Sequence, residues 1–343
     1  MFRAILSESR PAFHKFTRNM SSMKAIVIDK TGGPEVLQFK DSPKPKAEAG
    51  QILVKNHAIG VNYIDTYHRK GIYPVPTPFI PGAEGAGEVV EVGSDVTDFK
   101  VGDRVAYTGS KSYAEFTPVP VLSAGKIPDN VSYSDASALL LQGLTAWTMV
   151  RDGYSVKKGV HAAAGGVGLL LCQMANLLGA TVIGTVSNDE KAKLAKQNGA
   201  HHIINYSHED TVARVQELTN GEGCHAVLDG VGASTFETSL KSVRRLGTLI
   251  SFGNASGVVP PISIAILGEK SIKLMRPRLY AYIATKEEKD KWWGELFQLL
   301  ADKKINIEIY KTYKLEDAKT AHTDIESRKT VGKLLLEFAN NER

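Results

Sequence analysis

Cysteine is almost missing from this chain of 343 residues: there are two, Cys172 and Cys224, too few for a disulfide framework or a four-thiolate zinc site. A run of about 18 apolar residues is missing as well, so nothing reads as a membrane-spanning helix. There is no internal repeat and no low-complexity tract. Strong net charge is lacking too. Of the formal +5, residues 1–22 carry +3 (Arg3, Arg10, Lys15 and Arg18 against Glu8), which leaves +2 for the remainder. So nearly neutral a body is not a strongly basic nucleic-acid binder. His57, His68, His161, His201, His202 and His208 show no metal-ligand spacing, and adjacent residues such as His201 and His202 point to opposite faces of a strand. The 43% hydrophobic and 23% charged composition is that of a globular protein, and the length predicts two domains.

Residues 1–22 are rich in Arg and Ser, nearly free of acids, and carry Phe2, Ile5, Leu6, Phe13 and Phe16 as apolar points. That pattern reads as a mitochondrial presequence or as a disordered extension, with Met20 or Met23 as internal starts for a cytoplasmic form. The folded pattern begins at Met23.

The chemistry-bearing stretch is Ala162-Ala163-Ala164-Gly165-Gly166-Val167-Gly168, opening into the apolar run from Leu169 to Ala175. Glycines running into a helix expose backbone N–H groups and a partial positive charge to a phosphate. On the G-x-G-x-x-G fingerprint the key positions are Ala163, Gly165 and Gly168, with alanine in place of the first glycine. A β-branched run, Thr181–Val186, ends about 20 residues later, where the fold reads the adenosine ribose. A carboxylate there favours NAD. This chain has Ser187, Asn188 and, one helical turn on, Lys191, a hydroxyl, an amide and an ammonium that suit a 2′-phosphate.

Before the glycines the chain is β-rich and irregular, with four prolines between Lys70 and Pro81, the mark of a small twisted barrel. Ser134–Arg151 is the first convincing helix. Beyond Ala162, predicted strands at 181–186, 202–206, 226–229 and 248–253 alternate with helices at 189–198, 209–219 and 235–245. That alternation predicts an α/β, doubly wound parallel sheet. After Ser271–Met275 come a helix near 286–302 and strands near 305–310 and 332–338. The division expected is an extension (1–22), a catalytic domain (23–146), a nucleotide-binding domain (147–276) and a return segment completing the catalytic domain (277–343).

Five motifs in order, Gly60–Tyr67, Pro81–Gly87, Ala163–Gly168, Ser251–Gly257 and Ile325–Thr330, resemble the zeta-crystallin-like quinone oxidoreductases of the medium-chain dehydrogenase/reductase superfamily, from about Met23 to Leu336. The resemblance implies a GroES-like partial barrel beside a Rossmann domain, NADPH as cofactor, and a homodimer. Zinc-dependent members have cysteine where this chain has Asn62 and histidine where it has Ala83; an amide and a methyl do not replace them. No metal is then expected. The implied chemistry is direct reduction of an electrophilic acceptor, a quinone or, alternatively, an alkene conjugated to a carbonyl. Ala164, Gly165, Gly166, Val167 and Gly168 would hold the pyrophosphate, and Ser187 and Lys191 the 2′-phosphate. Tyr206 would lie beside the adenosine, Phe252 and Gly253 beside the nicotinamide, and Arg328 would touch the cofactor from the return segment. Asn62, Asp65, Tyr67 and Gln142 are the catalytic candidates, with Thr145 next to Gln142. Family members also bind AU-rich RNA or serve as lens crystallins, which is the reading from another class.

One departure stands out. Lys157-Lys158-Gly159 is followed at once by Val160-His161-Ala162, about four residues fewer than the family's first Rossmann strand, or roughly 13 Å of strand. Either Ser155–Lys158 are drawn into that strand, or the sheet loses stability and NADPH affinity, or the fold tolerates a shorter first strand than the family spacing implies.

Overall fold

The computed structural model describes residues 22–109, 111–157, 160–163, 166–327 and 329–338. Ala164, Gly165, Arg328 and most of the leading segment lie outside these. Strands β1 (Ser22–Val27) and β2 (Gln38–Pro43) pair as an antiparallel ribbon. Then come β3 (Gln51–Val61), helix α1 (Tyr63–Lys70), β4 (Glu84–Val92), β5 (Arg104–Thr108), β6 (Phe116–Pro120), β7 (Ala124–Lys126) and the long helix α2 (Tyr133–Thr148). The nucleotide-fold portion follows as β8 (Val160–Ala163), α3 (Gly166–Leu177), β9 (Ile183–Val186), α4 (Asp189–Gln197), β10 (His202–Asn205), α5 (Thr211–Leu218), β11 (Cys224–Asp229), α6 (Phe236–Ser242), β12 (Val243–Ser251) and β13 (Lys273–Met275). The chain returns through α7 (Lys286–Ala301), β14 (Ile309–Lys314), α8 (Ala318–Glu326) and β15 (Lys333–Glu337).

Two sheets result. One is mixed, in the order β14-β15-β3-β4-β5-β7 with β6 also on β3. Its path ends at β14 and β7, so the expected barrel is open. The other is parallel, in the order β10-β9-β8-β11-β12-β13, the doubly wound arrangement the alternation predicted. The reversal falls at β8, which β9 flanks on one side and β11 on the other. In such sheets the ligand crevice opens there, at the carboxyl ends of the strands.

Helix α2 ties the two sheets together. Ser132 caps it by accepting from the Asp135 N–H at 3.0 Å, and Leu139, Leu140, Leu144 and Trp147 are buried along it. These pack in one cluster with Leu170, Leu171 and Met174 of α3 and with Trp292, Trp293, Leu296 and Phe297 of α7. The helix runs unbroken through position 146.

Two predicted boundaries move. The helix expected over 235–245 stops at Ser242 because β12 begins at Val243; Leu246 adopts φ 60° and marks an irregularity in the pairing with β11. The last-but-one strand starts at Ile309, four residues later than expected.

The shortened strand stays short. β8 has four residues; Val160, His161 and Ala162 pair with Ala226, Val227 and Leu228, while only Ala162 and Ala163 reach β9. Ser155, Val156 and Lys157 are not drawn into it, because extending it would carry a lysine toward the middle of a sheet. A pocket of about 270 Å³ lies at the amino ends of the neighbouring strands, lined by Thr181 and Ile183, by Gly223 and His225, and by Leu218, Thr219, Asn220 and Glu222 at the end of α5.

Candidate active site

A cavity of about 1820 Å³ runs between the sheets. Asn62, Tyr67, Gln142, Thr145, Val167, Gly168, Ser187, Lys191, Tyr206, Phe252 and Gly253 all line it, so candidates up to 191 positions apart are brought to one cavity. Gly166 opens α3. The exception is Asp65, which is fully buried and outside the lining of this cavity: its Oδ2 accepts from the Asn62 N–H at 2.9 Å and from the Tyr113 hydroxyl at 3.1 Å. Asp65 therefore fixes the start of α1 and does not meet substrate. Burial pushes its carboxyl up from 3.8 to about 7, opposed chiefly by the Asn62 bond. A folded-state pKa above the unfolded one means stability is full at low pH and falls as pH rises through about 7. Relative to Asp65→Asn, the wild type should therefore lose stability between pH 4 and pH 8, by at most about 4 kcal/mol. Urea midpoints measured across that range check this; parallel curves would refute it.

The sequence candidates are not equally free to act. Asn62 Nδ2 donates to Glu84 Oε1 at 2.7 Å, and its Oδ1 accepts from Lys333 Nζ at 2.7 Å. Lys333 also pairs with Glu84, and both side chains are buried. Glu84 Oε2 accepts from the Leu141 N–H of α2 at 2.6 Å. Position 60 must be glycine for this arrangement, since a Cβ there would stand 2.2 Å from Glu84 Oε1. Asn62 is thus held on both edges and is no proton carrier. Thr145 donates to Leu141 O and Gln142 gives one amide N–H to Ala138 O, each at 2.7 Å. Tyr67 differs. Its hydroxyl accepts from the Asn254 N–H at 3.2 Å, which leaves its own proton uncommitted. Burial pushes that phenol up to about 12, so it stays protonated at neutral pH.

Sequence reasoning missed Glu84, Lys333, Asn254 and Arg276. The Arg276 guanidinium donates to Ser251 O at 2.9 Å and Gly253 O at 3.2 Å and lies 3.4 Å from the Tyr73 hydroxyl. Tyr73 stands edge-on to Tyr67, ring centroids 5.4 Å apart. Gly253 has a packing reason of its own, because a Cβ would come 2.1 Å from Gly230 O.

At the other end the donor set suits a nucleotide. α3 starts at the carboxyl end of β8, so its free N–H groups face the crevice. Ser187 and Lys191 line the cavity where β9 ends, with Tyr206, 55% exposed, beside them. Asn188 instead caps α4, its Oδ1 accepting from the Lys191 N–H at 2.9 Å.

The parallel sheet, the crevice at its reversal and the second sheet closing over it define a two-domain nucleotide-dependent dehydrogenase/reductase. A family model described as "Alcohol dehydrogenase GroES-like domain" matches residues 48–128, and one described as "Zinc-binding dehydrogenase" matches 166–297. A quinone oxidoreductase of Pseudomonas aeruginosa is 46% identical over 91% of this chain and 99% of its own. The crystal structure of Escherichia coli quinone oxidoreductase complexed with NADPH superposes with a TM-score of 0.88 at 42% identity, over 92% of this chain and 99% of that one. A 2-haloacrylate reductase of a Burkholderia species is 38% identical over 91% of this chain and 98% of its own. The chain belongs to the quinone oxidoreductase family of the medium-chain dehydrogenases/reductases. The zinc of the family description does not fit here. Asn62 and Ala83 offer an engaged amide and a methyl, and no cluster of three His, Cys, Asp or Glu side chains suits a metal among the described residues.

Proposed function

We propose that this chain is an NADPH-dependent quinone oxidoreductase that works without a metal. NADPH, when bound, supplies the hydride. The chain's own residues do the rest. The α3 N-terminus, Ser187 and Lys191 hold the phosphates, while Phe252 and Gly253 border the nicotinamide end. Aromatic and aliphatic walls built from Tyr63, Ile64, Tyr67, Tyr73 and Phe79 suit a flat, apolar acceptor and exclude water. The observation that carries the reading is Tyr67: a neutral phenol with an uncommitted proton, oriented by a backbone N–H and aimed at the acceptor oxygen's hydrogen-bond needs. Reduction of a conjugated alkene carbonyl uses the same parts, and the haloacrylate-reducing relative favours that as the second reading.

The test is nucleotide selectivity followed by turnover. Purified enzyme should bind NADPH in preference to NADH and reduce simple quinones. Ser187→Asp should weaken NADPH binding roughly 30-fold by setting a carboxylate against the 2′-phosphate, with NADH much less affected. Equal losses for both nucleotides, followed by fluorescence, would overturn the assignment of Ser187.

Homodimerisation and import belong to the same proposal. β13 ends the parallel sheet with a free edge, Leu274 is 36% exposed on it, and Ile264 is 82% exposed nearby, the combination that a second copy covers. Sedimentation would read a dimer. The Arg-rich leader supports mitochondrial targeting, which sequencing the mature N-terminus would test. Among the described residues no helix is long and apolar enough to cross a membrane.

A further inference from the structure

The acceptor half of the cavity carries an unbalanced charge. Among the described residues its titratable lining consists of His68, Lys111, Arg276, Arg278 and Lys333, with tyrosines between them, and no carboxylate. Lys333 is neutralised by Glu84 behind it, and burial keeps His68 below its ordinary pKa. Lys111, Arg276 and Arg278 have no carboxylate partner among the described residues. Arg276 is held in place by neutral groups, Ser251 O, Gly253 O and Tyr73, so its position is fixed and its charge is not cancelled. The carboxylates that do line the cavity, Glu209, Asp210 and Asp229, belong to the nucleotide fold. Asp229 is engaged by the N–H groups of Val231 and Gly232 and the hydroxyls of Thr235 and Ser239, at 2.8–3.1 Å.

Arg276 and Arg278 are not placed to hold the cofactor's 2′-phosphate. Ser187 and Lys191 follow β9, whereas Arg276 and Arg278 follow β13, four strands away in the order β9-β8-β11-β12-β13. At about 4.8 Å per strand that separation is roughly 19 Å. Lys111, Arg276 and Arg278 are all solvent-exposed, so their attraction for a ligand of opposite sign acts through water and is strongest at low salt.

We propose that Lys111, Arg276 and Arg278 make this enzyme select acceptors that carry a negative charge: a quinone, or a conjugated alkene, bearing a carboxylate or similar anion beside the reducible group. The proposal rests on the quinone-reductase reading, and the charge is recognised before any electron moves.

The test uses a benzoquinone with a short carboxyalkyl chain and the methyl ester of the same compound, whose rings are electronically alike. Each is titrated calorimetrically into the full-length enzyme, alone and with saturating NADP⁺, which cannot reduce it; turnover with NADPH is measured in parallel. The acid should bind about tenfold tighter than the ester near 20 mM salt, and the gap should shrink to under about threefold near 0.5 M. The acid-to-ester ratio should fall toward one in Arg276→Gln/Arg278→Gln, and part-way in Lys111→Gln, whose side chain makes no hydrogen bond or ion pair among the described residues. Equal affinities at low salt would overturn the proposal, as would an acid preference that ignores salt and persists in all the variants. The binding arm reads charge selection whatever the turnover arm shows. Tighter binding of the acid without reduction of either compound would therefore sustain the selection and refute the quinone-reductase reading.

Discussion

Four strand-forming apolar residues inserted immediately before Val160 should raise the midpoint of thermal unfolding by roughly 4–5 °C. The reason lies in the centre of the parallel sheet. β8 pairs with three residues of β11 and two of β9, whereas β12 alongside β11 has nine residues. Thr181 and Ile183 at the amino end of β9 and Gly223 and His225 at that of β11 both line the 270 Å³ pocket, which we read as the place a longer β8 would fill. Filling that slot buries two or three apolar side chains at about 1.5–3 kcal/mol each and pairs several backbone groups at about 1 kcal/mol each. Ordering four residues costs about 1–2 kcal/mol apiece, which leaves a net gain of about 3 kcal/mol. The carboxyl end of β8, which leads into the phosphate loop, is already paired through Ala163. NADPH affinity should accordingly rise less than stability does. Calorimetry and nucleotide titration on the same sample read both, and an unchanged or lower midpoint would show that the slot is tolerated as it stands.

Lys333→Met should destabilise the protein by about 3–5 kcal/mol, because it strands the buried Glu84 carboxylate without its counter-charge. The damage should spread to the site. Glu84 holds the Asn62 amide and the Leu141 N–H together, so losing its counter-charge loosens α1 against α2. KM for the acceptor should rise. The double variant Glu84→Gln/Lys333→Met removes the orphan charge and should recover more than half of the lost stability. Urea unfolding of the two variants decides it: a double variant no better than the single one would mean that packing, rather than charge, is what Lys333 contributes.

The strength of these two expectations tracks what was legible in the sequence. The doubly wound sheet, the glycine-led helix and the Ser187/Lys191 pair could be read because each is local: strand period, helix start and ribose position lie within about 30 residues of one another. The short β8 was legible for the same reason. Asp65 was misplaced because a carboxylate within a functional motif looks alike in sequence whether it faces a ligand or caps a helix. Only its burial and its bond to the Asn62 N–H distinguish the two. Lys333 was not foreseeable, since its partner Glu84 is 249 positions away and it sits in a strand that reads as ordinary sheet edge. Arg276 and Tyr73, 203 positions apart, meet only because β13 and the proline-rich loop flank the same opening.

Helix α2 has a consequence for how such proteins can be taken apart. It begins in one half of the molecule, ends in the other, and presents Leu140 and Leu144 to a cluster shared with α3 and α7. A chimera that joins this N-terminal half to a relative's nucleotide fold at position 146 would cut the helix's packing partners from the helix itself. A working exchange has to carry α2, α3 and α7 together as one heritable block, so recombination among relatives should respect that trio more than the line between the two sheets.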